Sequence, residues 1–203
     1  MDAFGDHAVG CAACGLYARH NLVRNALARE CSAANVCCLL EVTIPGSARR
    51  PDDTLLFLPE EPAPHAVDVS VVNPLHLSSL LAEVVPGAAA ERAEAAKRAA
   101  SSELCRGVGW SFSAACAEVT GAWGPSAQKL LRGMVRRQAM VLGIPVAEAA
   151  TALWRRMNAA LMKGTALMLV RAYPEVMGLP KHVVDPEVPD TPIRIRVRAP
   201  NPS

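Results

Sequence analysis

The sequence predicts an α/β fold of the mixed (α+β) kind, a small mixed sheet flanked by helices. Short apolar runs at 36–44, 54–58, 66–72 and 110–119 are bounded by Pro, Gly and polar turn residues, which is the pattern of buried strands. Apolar residues at steps of three and four mark helices before, between and after those runs. The chain has 203 residues, 51% hydrophobic and 20% charged, which suits one ordinary globular domain and excludes overall disorder. A domain of that size buries about 70% of its unfolded surface, so neither disulfides nor a metal are needed merely to hold it folded.

In order along the chain, 21–34 reads as a helix with Asn21 at its N-cap and Leu22, Ala26, Leu27 and Ala33 on one face. Val36 to Ile44 is a strand closed by Pro45-Gly46. Thr54 to Leu58 and Ala66 to Val72 are two strands joined by an acidic, Pro-rich loop, a hairpin. After Pro74 a short helical segment runs to Val85, and the Ala/Glu/Arg/Lys-rich stretch from Ala88 to Arg106 is a helix stopped by Gly107. Trp110 to Val119 returns to strand character, and Gly121 to Gly124 is a turn. Helices follow at 125–142 and 145–172, the second carrying Val146, Ala150, Leu153, Met157, Leu161 and Met168 as a core-facing stripe. Beyond 172 the composition changes, since seven of the sixteen prolines lie between Pro174 and Pro202. Residues 173–203 therefore read as an extended tail, whose alternating Ile193 to Arg198 suits an edge strand or a basic contact strip.

Glu41, Glu118 and Lys163 interrupt the three best candidates for a membrane span, so none is expected, and the first residues lack the basic start of a secretory signal. Seven cysteines, an odd number with Cys37 and Cys38 adjacent, fit no disulfide framework and point to a reducing, intracellular setting. Net charge is only +2, but its distribution is uneven. Eight basic residues against the single acid Glu148 fall between Lys129 and Arg171, while 51–68 holds five acids and neither Lys nor Arg.

Two of those acids define the candidate chemistry. Asp68 lies inside an apolar strand, sharing a face with Ser70 while Val67, Val69 and Val71 share the other. An unpartnered carboxylate there would cost several kcal/mol, so Asp68 requires a cation, a donor or water. Asp52 and Asp53 stand at the start of the neighbouring strand, which makes a divalent cation such as Mg²⁺ or Mn²⁺ an attractive partner. Turn capping or plain solvation of the hairpin acids is the competing reading. At the N-terminus His7, Cys11, Cys14 and His20 offer nitrogen and sulfur ligands at spacings that suit Zn²⁺.

The segments Arg49-Arg-Pro-Asp-Asp53, Val67-Asp-Val-Ser-Val-Val-Asn-Pro74, Ala95-Ala-Lys-Arg98 and Gly121-Ala-Trp-Gly-Pro125, in that order, resemble the restriction-like endonuclease region at the C-terminal end of site-specific non-LTR retrotransposon proteins. Upstream, Phe4-Gly-Asp-His-Ala8, Cys11 and Arg19-His-Asn21 are similar to the zinc knuckle and helix that precede that nuclease. The resemblance covers roughly 2–172 and rests on the ordered succession rather than on any one piece. It implies a PD-(D/E)XK core with two C-terminal helices over 21–172, a partial zinc-knuckle-like segment over 1–20, and metal-dependent nicking of DNA. By the same carry-over Asp68 is the second metal-binding acid. The first is Asp53, which fits the Pro-x-Asp of the related sequences, or Asp52, which fits the generic motif. The lysine of D-X-K falls at Ser70, a departure that the retrotransposon branch meets from the following helix, where Lys97 stands. Glu41 is a further acid able to join the site or simply end its strand. The related proteins carry a Cys-x2-Cys pair ahead of the His that is not present before His7, so either Cys14 and His20 replace it or the zinc site is broken.

Arg19, Arg132, Arg136 and Arg137 are the candidate phosphate contacts, against the reading that they form a solvated face. DNA is the expected partner, with RNA entering as part of a larger retroelement protein, and the family implies a nuclear location. Two readings compete with an active nuclease: an inactive remnant that at most binds nucleic acid, and an interaction protein built on the helices at 125–172.

Overall fold

Strand alternation and residue size together set the layers. The computed structural model describes residues 9–10, 15–45, 53–74 and 85–173. The elements are α1 (Leu16–Ala33), β1 (Cys37–Leu40), β2 (Thr54–Phe57), β3 (His65–Val72), α2 (Ala88–Arg106), β4 (Ser111–Glu118), α3 (Pro125–Leu142) and α4 (Val146–Ala172). The strands form one sheet in the order β1-β2-β3-β4. β1, β2 and β3 pair antiparallel, and β4 lies parallel to β3, from His65 opposite Ser111 to Val72 opposite Glu118. Parallel neighbours require a crossover, which α2 supplies. The mixed α/β class, the hairpin and the last three helix spans agree with the sequence reading. α1 does not, because it begins at Leu16 behind a left-handed Gly15 rather than at Asn21.

One face of the sheet presents Leu56, Val67, Val69, Ala115 and Ala117 to α1, α3 and α4, where Val23, Leu27, Leu131, Met134, Leu153, Met157 and Leu161 complete the main core. The other face carries small residues, Ala66, Ala114 and Cys116, against Ala90 and Cys105 of α2, so that helix packs close to the strands. In α4, Leu153, Met157, Leu161 and Met168 are buried as the stripe predicts, whereas Val146 is 54% exposed and Ala149 and Gly164 take inward positions. Cys31, Cys37, Cys38, Cys105 and Cys116 are not in disulfides, and all but Cys37 are buried. Among the described residues, no helix is long and apolar enough to cross a membrane. The segment expected to be helical after Pro74, and everything beyond Tyr173, lie outside the described residues.

α1 and α4 meet at a glycine. A Cβ on Gly164 would stand 2.6 Å from Cγ and 2.9 Å from Cα of Arg19, so the helices approach as closely as they do only without a side chain there. Gly164→Ala should therefore destabilise the fold by roughly 1–3 kcal/mol, measured by urea denaturation, even though alanine is the better helix former.

At the other end of β3, His65 ties the parallel pair together, its Nδ1 and Nε2 lying 2.7 Å from Ser111 Oγ and 2.8 Å from Ser113 Oγ. Burial holds this imidazole below the ordinary histidine pKa, partly offset by Glu61 and reinforced by Lys129. Because the folded value lies below the unfolded one, its stabilising contribution is complete above about pH 6.5 and is lost as the pH falls toward the folded value. The melting temperature should drop between about pH 7.5 and pH 5.5, and His65→Gln should flatten that slope.

Candidate active site

The site is built where the β2–β3 ladder ends. Asp53 N–H donates to Val67 O at 3.0 Å, and the next bond in the ladder is made by a side chain, Val69 N–H donating to Asp53 Oδ2 at 2.7 Å. The other oxygen, Oδ1, lies 3.0 Å from Nε2 of His20, which reaches across from α1. Asp68 is one strand over, on the face covered by α2, where Lys97 Nζ donates to Oδ1 at 2.8 Å and to Oδ2 at 2.7 Å. The partner that a carboxylate in this strand requires is thus a lysine 29 residues on, in the next element of the chain. Asp53 and Asp68 keep 20% and 18% of their side chains exposed, and Lys97 keeps 30%, so the cluster is sheltered yet open to a ligand.

The two acids sit in opposed fields. Burial raises both, but for Asp53 the hydrogen bond and charge of His20, the Val69 N–H and the charge of Lys97 outweigh it, holding that carboxyl below its ordinary range. For Asp68, burial and the neighbouring Asp53 outweigh the bonds and charge of Lys97, and the value is raised. Asp53 helps to raise Asp68, a repulsion that a cation beside both carboxylates would relieve. Each carboxylate oxygen has two acceptor positions, so one remains beside each bond already made. Two carboxylates completed by water fit Mg²⁺ or Mn²⁺, although the described residues contain no group of three or more His, Cys, Asp and Glu able to hold a metal.

The remaining sequence candidates divide. His20 stands on Asp53, while His7, Cys11 and Cys14, the other members of the expected zinc set, lie outside the described residues, as does Asp52. Glu41 adjoins the site through its backbone, its N–H donating to Asp53 O at 3.0 Å, and it holds a left-handed φ of 53°. Its carboxylate is turned to the buried Arg24. Arg19 is a correction: it is 1% exposed, donates from Nη1 to Val9 O at 3.0 Å, and burial lowers its pKa to about 10, so it cannot reach a phosphate. Arg137 is a partial one, since its side chain is 17% exposed and paired with Glu60. Arg132 and Arg136 are exposed on α3 as a phosphate contact requires.

Glu94, three residues before Lys97 in the sequence, is fully buried. It accepts from Cys116 N at 3.3 Å, Ser126 N at 2.8 Å and Ala127 N at 2.9 Å, capping α3. Glu118 does the same for α2, accepting from Ala89 N at 3.0 Å. The Gly121–Pro125 motif is structural for the same reason: a Cβ on Gly124 would fall 2.4 Å from the Glu94 carboxylate, and Trp123 is buried with its Nε1 donating to Asn158 at 2.8 Å.

Comparison with protein-family models and with curated proteins finds no match for this chain. Function therefore rests on the cluster itself.

Proposed function

We propose that this chain is a metal-dependent DNA endonuclease domain of retrotransposon origin, hydrolysing a phosphodiester to nick its target. The observation that carries the reading is the convergence of Asp53, just ahead of β2, Asp68 of β3 and Lys97 of α2 on one partly exposed cluster. The order helix, three antiparallel strands, crossover helix and parallel strand supports a PD-(D/E)XK core, and the approach of Lys97 to Asp68 supports a lysine supplied from the helix in place of the one absent at Ser70.

In this reading Asp53 and Asp68 hold Mg²⁺ or Mn²⁺, which supplies an acidified water and neutralises charge on the phosphate. His20 and the Val69 N–H fix both oxygens of Asp53 in place. Lys97 spends two of its three donors on Asp68 and presents the third to a non-bridging phosphate oxygen, where negative charge grows as water attacks. Arg132 and Arg136 bind the duplex phosphates. Genomic DNA as substrate carries with it a nuclear location, and RNA would enter through a larger retroelement protein.

The test is nicking of supercoiled plasmid by the purified chain. Cleavage with Mg²⁺ or Mn²⁺ that stops in EDTA is the expected result. A folded chain that never nicks would overturn the reading in favour of an inactive remnant, a view favoured by Ser70 and by the two hydrogen bonds that Lys97 donates to Asp68.

A further inference from the structure

On the other flank of α2 lies a second recess that the endonuclease reading leaves unused. Consecutive helix residues point about 100° apart, so Lys97 faces Asp68 while Arg98 turns toward α3 and the start of β4. There a cleft of about 580 Å³ opens between α2, α3 and the β2–β3 connection, within the size range of small-ligand sites. Arg98 and Lys129 stand exposed at its walls, and neither forms an ion pair among the described residues. The acids there are Glu60, committed to Arg137, and Glu61. Phe112, Leu130 and Met134 give it an apolar side, while His65 and Ser113 supply a polar edge. Phe112 also walls an adjoining depression of about 470 Å³ that contains Trp110. The α3 N-terminus contributes nothing to a ligand here, because Glu94 already occupies its amides.

We infer that this cleft binds single-stranded nucleic acid, the phosphates lying on Arg98 and Lys129 and a base against Phe112. An acidic peptide would use the cations alone. A nucleotide strand also uses the aromatic wall, and cations interleaved with aromatic faces, repeated at Phe112 and Trp110, are how sequence-tolerant single-strand sites are made. Arg132 and Arg136, exposed further along α3, extend the basic track.

Gly133 provides a clean test. It lines the cleft, and a Cβ there meets nothing within 4 Å, so Gly133→Met has open space at its Cβ, narrows the cavity and improves helix propensity. Binding of a labelled oligo(dT) of about ten nucleotides is followed by fluorescence anisotropy in EDTA, which separates it from cleavage. Gly133→Met and Phe112→Leu should each raise Kd about tenfold or more. The Arg98→Ala/Lys129→Ala double variant should also lower the salt slope by roughly 1.4. Circular dichroism should match the parent throughout, and melting should do so for the double variant and not fall for Gly133→Met, whereas Phe112→Leu should melt somewhat lower because Phe112 also packs against the small clusters under α2. The inference is overturned if oligo(dT) does not bind, or if Gly133→Met and Phe112→Leu bind as the parent does. It is equally overturned if polyglutamate, or thymidine monophosphate, competes as well as unlabelled oligo(dT).

Discussion

Asp68→Asn should reduce metal-dependent nicking by on the order of 10³ or more while leaving the melting temperature nearly unchanged. The two effects separate because the residue is functionally well placed and structurally unfavourable. Its carboxylate is held in an apolar strand against desolvation and against Asp53, which together push its pKa up, and only Lys97 compensates. The amide keeps the shape and one acceptor for Lys97, removes the repulsion of Asp53, and removes a charged ligand for Mg²⁺. Asp53→Asn should lose activity similarly but also stability, because there the carboxylate takes a strand amide and His20. Plasmid nicking and thermal melting on the same preparations decide this; an Asp68→Asn protein that cuts like the parent removes the cluster from the chemistry.

Glu94→Ala should be the most damaging single truncation outside the hydrophobic core, costing roughly 3–5 kcal/mol in urea denaturation. It leaves the amides of Cys116, Ser126 and Ala127 without their acceptor in a place with no water to replace it, and uncaps α3. Glu94→Gln should recover about half of that loss. Its oxygen can serve Cys116 and Ala127, as Oε1 does now, but its amide NH₂ then confronts the N–H of Ser126. Gly124→Ala attacks the same network from the opposite side, through a Cβ placed 2.4 Å from the carboxylate. If both Glu94 variants unfold like the parent, the carboxylate does not cap α3 as described.

How much of the site was legible follows from what kind of signal each residue leaves. Asp68 stands out because an acid breaks a run of valines, and Asp53 because it opens a strand beside a proline. Lys97 came from resemblance alone, since nothing local separates it from a solvated helix lysine. His20 reads from the sequence as a zinc ligand, although its spacing of four from the buried Arg24, beside Val23 and Leu27 on α1, hints that it also faces inward. Arg19 was misread for the opposite reason: arginine is ordinarily a surface residue, and its burial depends on Gly164, far along the chain.

By itself, the sequence determined the four strands, the last three helices, the hairpin and the strand that carries Asp68. These are local properties, written in the spacing of apolar residues over a turn or a pleat and in the prolines and glycines that end each run. The tertiary structure alone decided which charged groups meet: Lys97 with Asp68, His20 with Asp53, Arg24 with Glu41, and Glu94 with the amides of α3. Such pairs join separate elements, 17 to 33 residues apart, beyond the reach of a local pattern. Their energetics depend on burial and geometry, which a one-dimensional pattern does not encode.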